Sequence, residues 1–228
     1  MSTLFRRSGG SEGAAPLRPK EAPRRECATL LGIVDLDSPE EDIRFVWIDL
    51  EMTGLNPDVD QILEIAVVVT GVDLQPLAEF TRVIHHAEET VQRMSKVVHR
   101  MHSANGLIED VLASKTRLRE AEREALAVIV EHCLPGAAFL AGNNVHHDWR
   151  FLTRHMPRIE QYLHYRQVDV ATIKVLAEAW APALVMEKEP SNHRALADIH
   201  DSITELRYYC EKLFRGSMSA AVGGQAKT

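Results

Sequence analysis

The sequence is poor in cysteine and lacks long apolar runs. Its three cysteines, Cys27, Cys133 and Cys210, are far apart in the chain and follow no metal-ligand spacing. This pattern argues against a disulfide framework and against a cysteine zinc site, and it predicts reduced thiols in an intracellular protein. No apolar run approaches the ~20 residues that a membrane-spanning helix requires, so we expect no association with a membrane.

Basic residues are also in the minority, with 26 Lys and Arg against 33 Asp and Glu and a net charge of −7. A protein that binds long nucleic acid usually carries a basic surface, because its affinity comes from neutralising many phosphates. If the substrate is a nucleic acid, the charge balance therefore favours a short one that is held by a few specific contacts.

The length and composition predict a single folded domain with a tail at each end. At 228 residues and 45% hydrophobic content, the chain is long enough for one substantial core. Residues 1–40 contain a Gly-Gly pair and prolines at 16, 19 and 23 and show no apolar period, which predicts a disordered N-terminal extension. The six basic residues of this stretch leave an organelle transit peptide as the alternative. We expect the folded domain to span residues 41–215, followed by a flexible C-terminal tail over 216–228.

The stretch FVWIDLEMTGL, residues 45–55, places two carboxylates on an otherwise apolar strand. Because side chains alternate along a strand, Asp49 and Glu51 project from the same face, roughly 6–7 Å apart. Two like charges at the end of a buried strand repel each other and lose hydration, and a divalent cation is the simplest compensation. The alternative is an edge strand with two solvated acids.

Apolar patterns predict strands and helices along the rest of the chain. The patterns at 45–50, 62–70 and 77–84, with short turns between them, predict an antiparallel meander. Helical patterns follow at 91–101, 106–113 and 118–133. The remaining elements that we predict are a strand at 138–141, a helix at 145–156, a strand at 167–170, a helix at 172–180 and a last helix with an apolar stripe from 196 to 210.

Two further acids and a histidine lie near sheet-facing positions of the predicted helices. Asp148 precedes the apolar Phe151 and Leu152 by three and four positions, beside the face that turns towards the sheet, although it could instead cap its own helix. Asp198 flanks the apolar stripe of the last helix. His193 lies about 140° away around the same helical wheel and can approach the cleft from another direction, or can be a surface residue.

Together these residues suggest a metal-dependent reaction on a phosphate ester. Carboxylates without cysteine ligands select hard cations such as Mg²⁺ or Mn²⁺. Two such ions about 3.5–4 Å apart stabilise both the attacking and the leaving oxygen of a phosphoryl displacement. A histidine suits deprotonation of the attacking water at neutral pH. We attribute two other histidine groups, His99 with His102 and His146 with His147, to chance proximity.

Five segments in this order resemble the oligoribonucleases: WIDLEMTGL, DQILEIA, GNNVHHDWRFL, LHYRQVDVATIKVLAEAW and HRALADIHDSI. These are small 3′→5′ exoribonucleases of the DEDDh family with a ribonuclease H-like α/β fold, a mixed five-stranded sheet flanked by helices. The resemblance covers residues 44–214. It implies that Asp49, Glu51, Asp148 and Asp198 bind two Mg²⁺ or Mn²⁺ ions and that His193 is the general base.

The same resemblance implies a substrate, a partner and a location. Oligoribonucleases are homodimers that degrade short single-stranded oligoribonucleotides, including dinucleotides, to 5′-mononucleotides. Their occurrence implies an intracellular location, in the cytoplasm, the mitochondrion or both. The alternatives are a DEDDh 3′→5′ exonuclease that acts on longer RNA or DNA 3′ ends, and a non-catalytic binding protein of the same fold.

Further positions match substrate-binding residues of the family. Leu50, with Met52 close by, resembles the apolar wedge that separates the two terminal bases. Arg166 resembles the group that binds the 5′ phosphate of the substrate, for which a guanidinium fork is well suited. Tyr165 resembles the aromatic residue that stacks on a base across the dimer, and stacking tolerates any base.

The chain departs from the family pattern at several positions. Asn144 and Ala171 replace the serines of the GNS and DVST motifs around the 5′ phosphate, while Thr172 is retained. Asn144 can still donate through its amide and stays, with Thr172, among the expected substrate-binding residues, whereas Ala171 cannot donate. We therefore expect a weaker preference for dinucleotides over slightly longer oligomers. Val97 stands where the family has a tryptophan, and Ala197 replaces an aspartate next to Asp198.

Overall fold

The computed structural model describes residues 43–187 and 193–214. All of these residues belong to one compact unit. The predicted N-terminal extension, the C-terminal tail and Cys27 lie outside the described residues, so the predicted domain boundaries stay predictions.

The centre of the fold is a mixed five-stranded sheet. Its strands are β1 (Phe45–Met52), β2 (Ile62–Thr70), β3 (Pro76–Val83), β4 (Phe139–Gly142) and β5 (His164–Asp169), in the spatial order β3-β2-β1-β4-β5. β1 to β3 pair antiparallel, as the predicted meander requires, while β4 and β5 run parallel to β1. The predicted fold class is confirmed. β1 is two residues longer than predicted, so Asp49 and Glu51 both lie within the strand.

Helices cover both faces of the sheet. They are α1 (Glu88–Gln92), α2 (Lys96–Ala104), α3 (Leu107–Ala113), α4 (Leu118–His132), α5 (His146–His155), α6 (Pro157–Tyr162), α7 (Val170–Trp180) and α8 (Ala195–Leu213), with a 3₁₀ turn at Pro182–Leu184. No helix in the described ranges has both the length and the apolar character that crossing a membrane demands.

The helices differ from the predictions in two places. The prediction of a single helix over 91–101 is wrong, because the chain forms α1 and α2 with a break between them. Ser95 starts the second helix by accepting a hydrogen bond from the backbone N–H of Val98 at 3.3 Å, as an N-cap residue does. The short helix α6 was not predicted. It begins at Pro157, whose ring fixes the backbone angle that a first helical turn requires.

Alternation along β1 divides the core into two layers. Val46, Ile48 and Leu50 pack with α4 and α5 on one face. Trp47 packs on the other face, against α7 and α8. β2, the second strand of the meander, is buried at all nine positions because both of its neighbours and both helical layers cover it. Asp49 and Glu51 lie on the Trp47 face, next to the start of α8.

Candidate active site

Three of the four predicted acids converge at the end of β1. Asp49 and Glu51 come from the strand and Asp198 from the first turn of α8. Each can offer one carboxylate oxygen such that these atoms all lie within 4.8 Å of one another. The strand's period of two and the packing of α8 on the same face bring them together. This group could hold a divalent cation.

Asp148 lies beside this group rather than within it. It is buried in the first turn of α5, and its Oδ1 accepts a hydrogen bond from the backbone N–H of Leu50 at 3.0 Å. The N-cap residue of α5 is Val145, and the hydrogen bond of the Asp148 carboxylate to Leu50 joins α5 to β1. Asp148 is nevertheless close enough to raise the pKa of Asp49.

The electrostatics of these acids disfavour their charged forms. Burial, followed by the charges of Asp148 and Glu51, raises the pKa of Asp49 well above its ordinary value. Burial, followed by the charges of Asp198 and Glu64, raises the pKa of Glu51 to about 9. Burial also raises the pKa of Asp148 to about 7. Because the donors are all oxygens, and because burial and mutual repulsion disfavour their negative charge, the residues fit a hard divalent cation.

His193 lies at the rim of the same site. It immediately precedes Arg194 and the start of α8, its side chain is exposed, and its backbone adopts the left-handed conformation with φ of 53°. Its charge contributes, after burial, to lowering the pKa of His102, whose ring lies next to Glu51. The structure thus places His193 near the acids but outside the group of three converging carboxylates.

His102, attributed from the sequence to chance proximity with His99, lies beside the converging acids. It is fully buried on α2, with Nε2 3.1 Å from the carbonyl oxygen of Met52 and Nδ1 3.9 Å from Oε2 of Glu51. It therefore supports the end of β1 from the side of α2. Its spacing of four residues from the half-buried Val98, one helical turn, was the available signal.

Glu64 was missed as well, although it is a charged residue in the middle of the apolar strand β2. It is buried directly opposite Glu51. Its carboxylate accepts hydrogen bonds from Nε of Arg194 at 3.1 Å and from Nη2 at 2.9 Å. The signal was present in the sequence, because β2 is apolar apart from Glu64 and its terminal threonine. An acid in such a strand requires a buried partner.

The residues predicted to surround the 5′ phosphate meet at the ends of β4 and β5. Asp169 organises them: its Oδ1 accepts hydrogen bonds from the backbone N–H groups of Asn144 and Ala171, both at 2.9 Å. Asn144 adopts a left-handed conformation with φ of 58°, which asparagine tolerates well. Thr172 is exposed in the first turn of α7. Asp169 was not predicted to have this role.

Tyr165 and Arg166 lie on β5, the edge strand that β4 separates from β1. Both side chains are exposed, and Cζ of Arg166 lies 5.5 Å from the centroid of the Tyr165 ring. The strand order keeps them apart from the converging carboxylates. Their roles in binding stay predictions.

The assignment of Leu50 as a wedge between bases is wrong. Leu50 is only 5% exposed and packs in the core with Ile48, on the face of β1 opposite to the acids. A step of one residue along a strand reverses the face, so the neighbour of two site acids points away from the site. Met52 is half-buried against the same core.

The exposed leucine of this region is Leu55, in the loop that follows β1, with 61% of its surface accessible. The carboxylate of Asp60 holds this loop. It accepts hydrogen bonds from the Thr53 hydroxyl and from the Asn56 backbone N–H, both at 2.9 Å. Leu55 therefore stands on an ordered loop at the end of the strand that carries the acids.

The fold defines the class first: it is the ribonuclease H-like fold of exonucleases. The exonuclease I of Escherichia coli in complex with a dT13 oligonucleotide is similar with a TM-score of 0.57 at 16% identity, over 76% of this chain and 42% of that one. Exonuclease I of Methylocaldum szegediense has a TM-score of 0.54 at 17% identity, over 76% and 41%. The chain spans about two fifths of these structures, and at such identities the likeness shows the fold alone.

The family follows from sequence comparison. A family model described as an exonuclease, RNase_T, matches residues 46–206. The oligoribonuclease of Shewanella loihica is 42% identical over 178 residues, which is 77% of this chain and 98% of the relative. That of Pseudomonas putida is 44% identical over 172 residues, or 75% and 96%. The chain belongs to this exonuclease family, and its relatives within it are oligoribonucleases. The predicted resemblance and the predicted class of enzyme, an exoribonuclease, are confirmed.

Proposed function

We propose that the chain is a 3′→5′ exoribonuclease that hydrolyses short oligoribonucleotides, including dinucleotides, to 5′-mononucleotides. The observation that carries the proposal is the approach of Asp49, Glu51 and Asp198 to within 4.8 Å of one another, with Asp148 alongside. The two oligoribonuclease relatives support it, because each aligns with this chain over nearly its whole length.

Two divalent cations, Mg²⁺ or Mn²⁺, supply charge stabilisation for the attacking and leaving oxygens when they are bound. Asp49, Glu51 and Asp198 would hold them, with Asp148 as the fourth acid. The buried acids favour this role because burial and their mutual repulsion disfavour their charged forms, which a bound cation would stabilise. Metal binding must therefore release the protons that the raised pKa values retain.

In this proposal His193 acts as the general base. Its imidazole accepts a proton from the attacking water, whose oxygen then bonds to the phosphorus of the terminal phosphodiester. The bond between phosphorus and the 3′ oxygen breaks, and the leaving oxygen takes a proton from solvent, which yields a 5′-mononucleotide and a shortened chain with a 3′ hydroxyl. Because the ring is exposed, it can return the proton to solvent before the next turnover.

In this proposal, separate surfaces of the protein bind the phosphate and the bases of the substrate. Arg166, Asn144 and Thr172 bind the 5′ phosphate, and Tyr165 stacks on a base. We move the apolar contact between bases from the buried Leu50 to the exposed Leu55. An exposed leucine on an ordered loop next to the acids can contact a base, whereas a core leucine cannot.

We also propose that the protein acts as a homodimer. The region from β5 through α7 exposes large apolar side chains, among them Tyr165 at 72% and Trp180 at 79%, together with Val175. A second copy that covers this region fits the expected role of Tyr165 across the dimer. Sedimentation velocity of Val175→Asp tests it, with Val130→Asp on α4 as an exposed control of the same type. Dissociation of Val175→Asp but not of Val130→Asp supports the dimer, and an unchanged mass of Val175→Asp contradicts it.

An intracellular location, in the cytoplasm, the mitochondrion or both, is part of the proposal. The two cysteines within the described ranges, Cys133 and Cys210, are free thiols, which is consistent with a reducing compartment. Fractionation of cells that express the full chain tests this assignment.

The activity itself is tested with 5′-labelled substrates of increasing length. The full chain is incubated with a dinucleotide, a heptaribonucleotide, a DNA heptamer and a long single-stranded RNA, first with Mg²⁺ and then with a chelator. Release of mononucleotides from the short RNAs only, abolished by the chelator, supports the proposal. Preferred digestion of long RNA or of DNA would instead identify an exonuclease of the longer-substrate type.

A further inference from the structure

The backbone of His193 is in a conformation that its surroundings must impose. A φ of 53° is uncommon for a residue with a Cβ atom. Such conformations persist where neighbouring groups determine them, and they cluster at functional sites. His193 also precedes the first residue of α8 by two positions, so the hydrogen bonds within the helix do not fix its side chain.

The residue after it, Arg194, is fixed to the sheet. Its guanidinium donates to both carboxylate oxygens of the buried Glu64, at 3.1 and 2.9 Å, and the backbone N–H of Ala195 donates to the same carboxylate at 3.2 Å. Nη1 of Arg194 lies 3.1 Å from Oδ2 of Asp110 on α3. One glutamate of β2 thus holds both the side chain of Arg194 and the first N–H of the helix.

Asn105, at the end of α2, fixes the other side of His193. Its Nδ2 donates to the backbone carbonyl of His193. Its Oδ1 accepts a hydrogen bond from the backbone N–H of Leu107 at 3.0 Å, which orients the amide. The histidine is therefore held from the corner between α2 and α3 as well as from the sheet.

We propose that Glu64, Arg194 and Asn105 form a clamp whose role is to position His193. They are positioning residues, because they act through the histidine rather than on the substrate. Asp198 lies inside α8 and keeps its position through the helix, whereas His193 lies outside the helix and depends on the clamp. The inference rests on the proposed role of His193 as general base.

If Arg194 acts through the clamp, its loss should lower turnover without weakening metal binding. Arg194→Ala should lower kcat by about 100-fold, the loss expected when a reacting group is misplaced by about 1 Å. KM should stay within about twofold of the wild type. The affinity for Mn²⁺, measured by titration calorimetry, should not fall, because loss of the guanidinium leaves more negative charge beside Glu51. Arg82→Ala is the control for loss of an arginine from an ion pair, because Arg82 pairs with Glu124 at 2.9 Å on a more exposed part of the sheet.

A double variant decides whether Arg194 acts through the histidine. If it does, the variant with both His193→Ala and Arg194→Ala should be no slower than His193→Ala alone. Losses that multiply would overturn the proposal. Asn105→Asp is the second variant. It keeps the acceptor for Leu107 and removes the donor to the His193 carbonyl, and it should also lower kcat without changing KM.

The ring signals of histidine in nuclear magnetic resonance spectra separate the clamp from the catalytic assignment. The signal of His193, identified by its loss in His193→Ala, should shift or broaden in Arg194→Ala and in Asn105→Asp but not in Arg82→Ala. An unchanged signal in the first two variants would overturn the clamp. Wild-type turnover by His193→Ala would instead overturn the role of His193 as base, while the ring signal still decides whether the clamp positions it.

Discussion

Glu51 and Glu64 lie directly opposite each other on β1 and β2, two buried carboxylates on one face of the sheet. Like charges in this arrangement repel each other. The protein neutralises Glu64 with the bidentate guanidinium of Arg194, whereas Glu51 faces Asp49 and Asp198. Glu64 is thus paired with a guanidinium of the protein itself, whereas Glu51 is available to a bound metal ion.

Replacement of Asp198 by asparagine should abolish most of the activity. The substitution keeps the size of the side chain and removes a charge from the converging group, so kcat should fall on the order of 100-fold or more. Steady-state hydrolysis of a dinucleotide measures kcat, and calorimetric titration with Mn²⁺ measures metal binding. Asp201→Asn, exposed on the same helix, is the control and should behave like the wild type. Full activity of Asp198→Asn would remove this residue from the site.

The stability of the metal-free protein should depend on pH through Glu51. Its pKa in the folded protein is about 9, above the ordinary value of 4.5. The folded state therefore binds more protons than the unfolded state in this window, and stability should fall as the pH rises from about 4.5 to about 9.

Thermal unfolding with a chelator and with Mn²⁺, near pH 6 and near pH 8, tests this dependence. The Tm with chelator should be lower near pH 8, and Mn²⁺ should raise the Tm more near pH 8, where it compensates more negative charge. In Glu51→Gln the fall in Tm with pH should be smaller. The same slope in this variant and in the wild type would show that Glu51 does not cause it.

Restoring a serine at position 171 should strengthen the preference for dinucleotides. A hydroxyl there adds a donor beside the proposed phosphate site, and a hydrogen bond to a charged group is worth roughly 1.5–3 kcal/mol. The ratio of kcat/KM for a dinucleotide to that for a heptamer should rise by roughly 10-fold in Ala171→Ser. Ala179→Ser, exposed on the same helix, is the control. If the wild type discriminates by length as steeply as Ala171→Ser, the prediction is wrong.

Leu50 and Leu55 should give opposite results when replaced by alanine. Leu55→Ala should raise KM several-fold and leave the free energy of unfolding within about 0.5 kcal/mol, because the side chain is exposed. Leu50→Ala should instead destabilise the fold by about 2–5 kcal/mol through a core cavity. Denaturant unfolding and dinucleotide kinetics measure both, with Leu77→Ala as an exposed control. An unchanged KM in Leu55→Ala would remove it from the substrate site.

Local periodicity was enough to predict the three strands of the meander and the placement of the strand acids, whereas β5 begins three residues before its predicted start. Asp49 and Glu51 share a face because a strand alternates, and the apolar pattern of residues 62–70 gave the bounds of β2. The same alternation places Leu50 in the core, so the error in its assignment arose from the family pattern and not from the period.

Contacts between elements that are distant in the chain were beyond these patterns. His102 supports the end of β1 across 50 residues, and Arg194 reaches Glu64 across 130. The left-handed backbone of His193 depends on the same long-range contacts, so the helical wheel could place the residue on a helix side but could not give its conformation.

Asp169 binds two separate stretches of backbone through one oxygen, and these stretches carry positions 144 and 171. Asp169 therefore fixes the main chain around the proposed phosphate site, and Asp169 is not one of the two positions that differ from the family. Side chains can be exchanged at these two positions without moving the frame that presents them. Selectivity for oligomer length can consequently change during evolution while the hydrolytic chemistry at the far end of β1 is left intact.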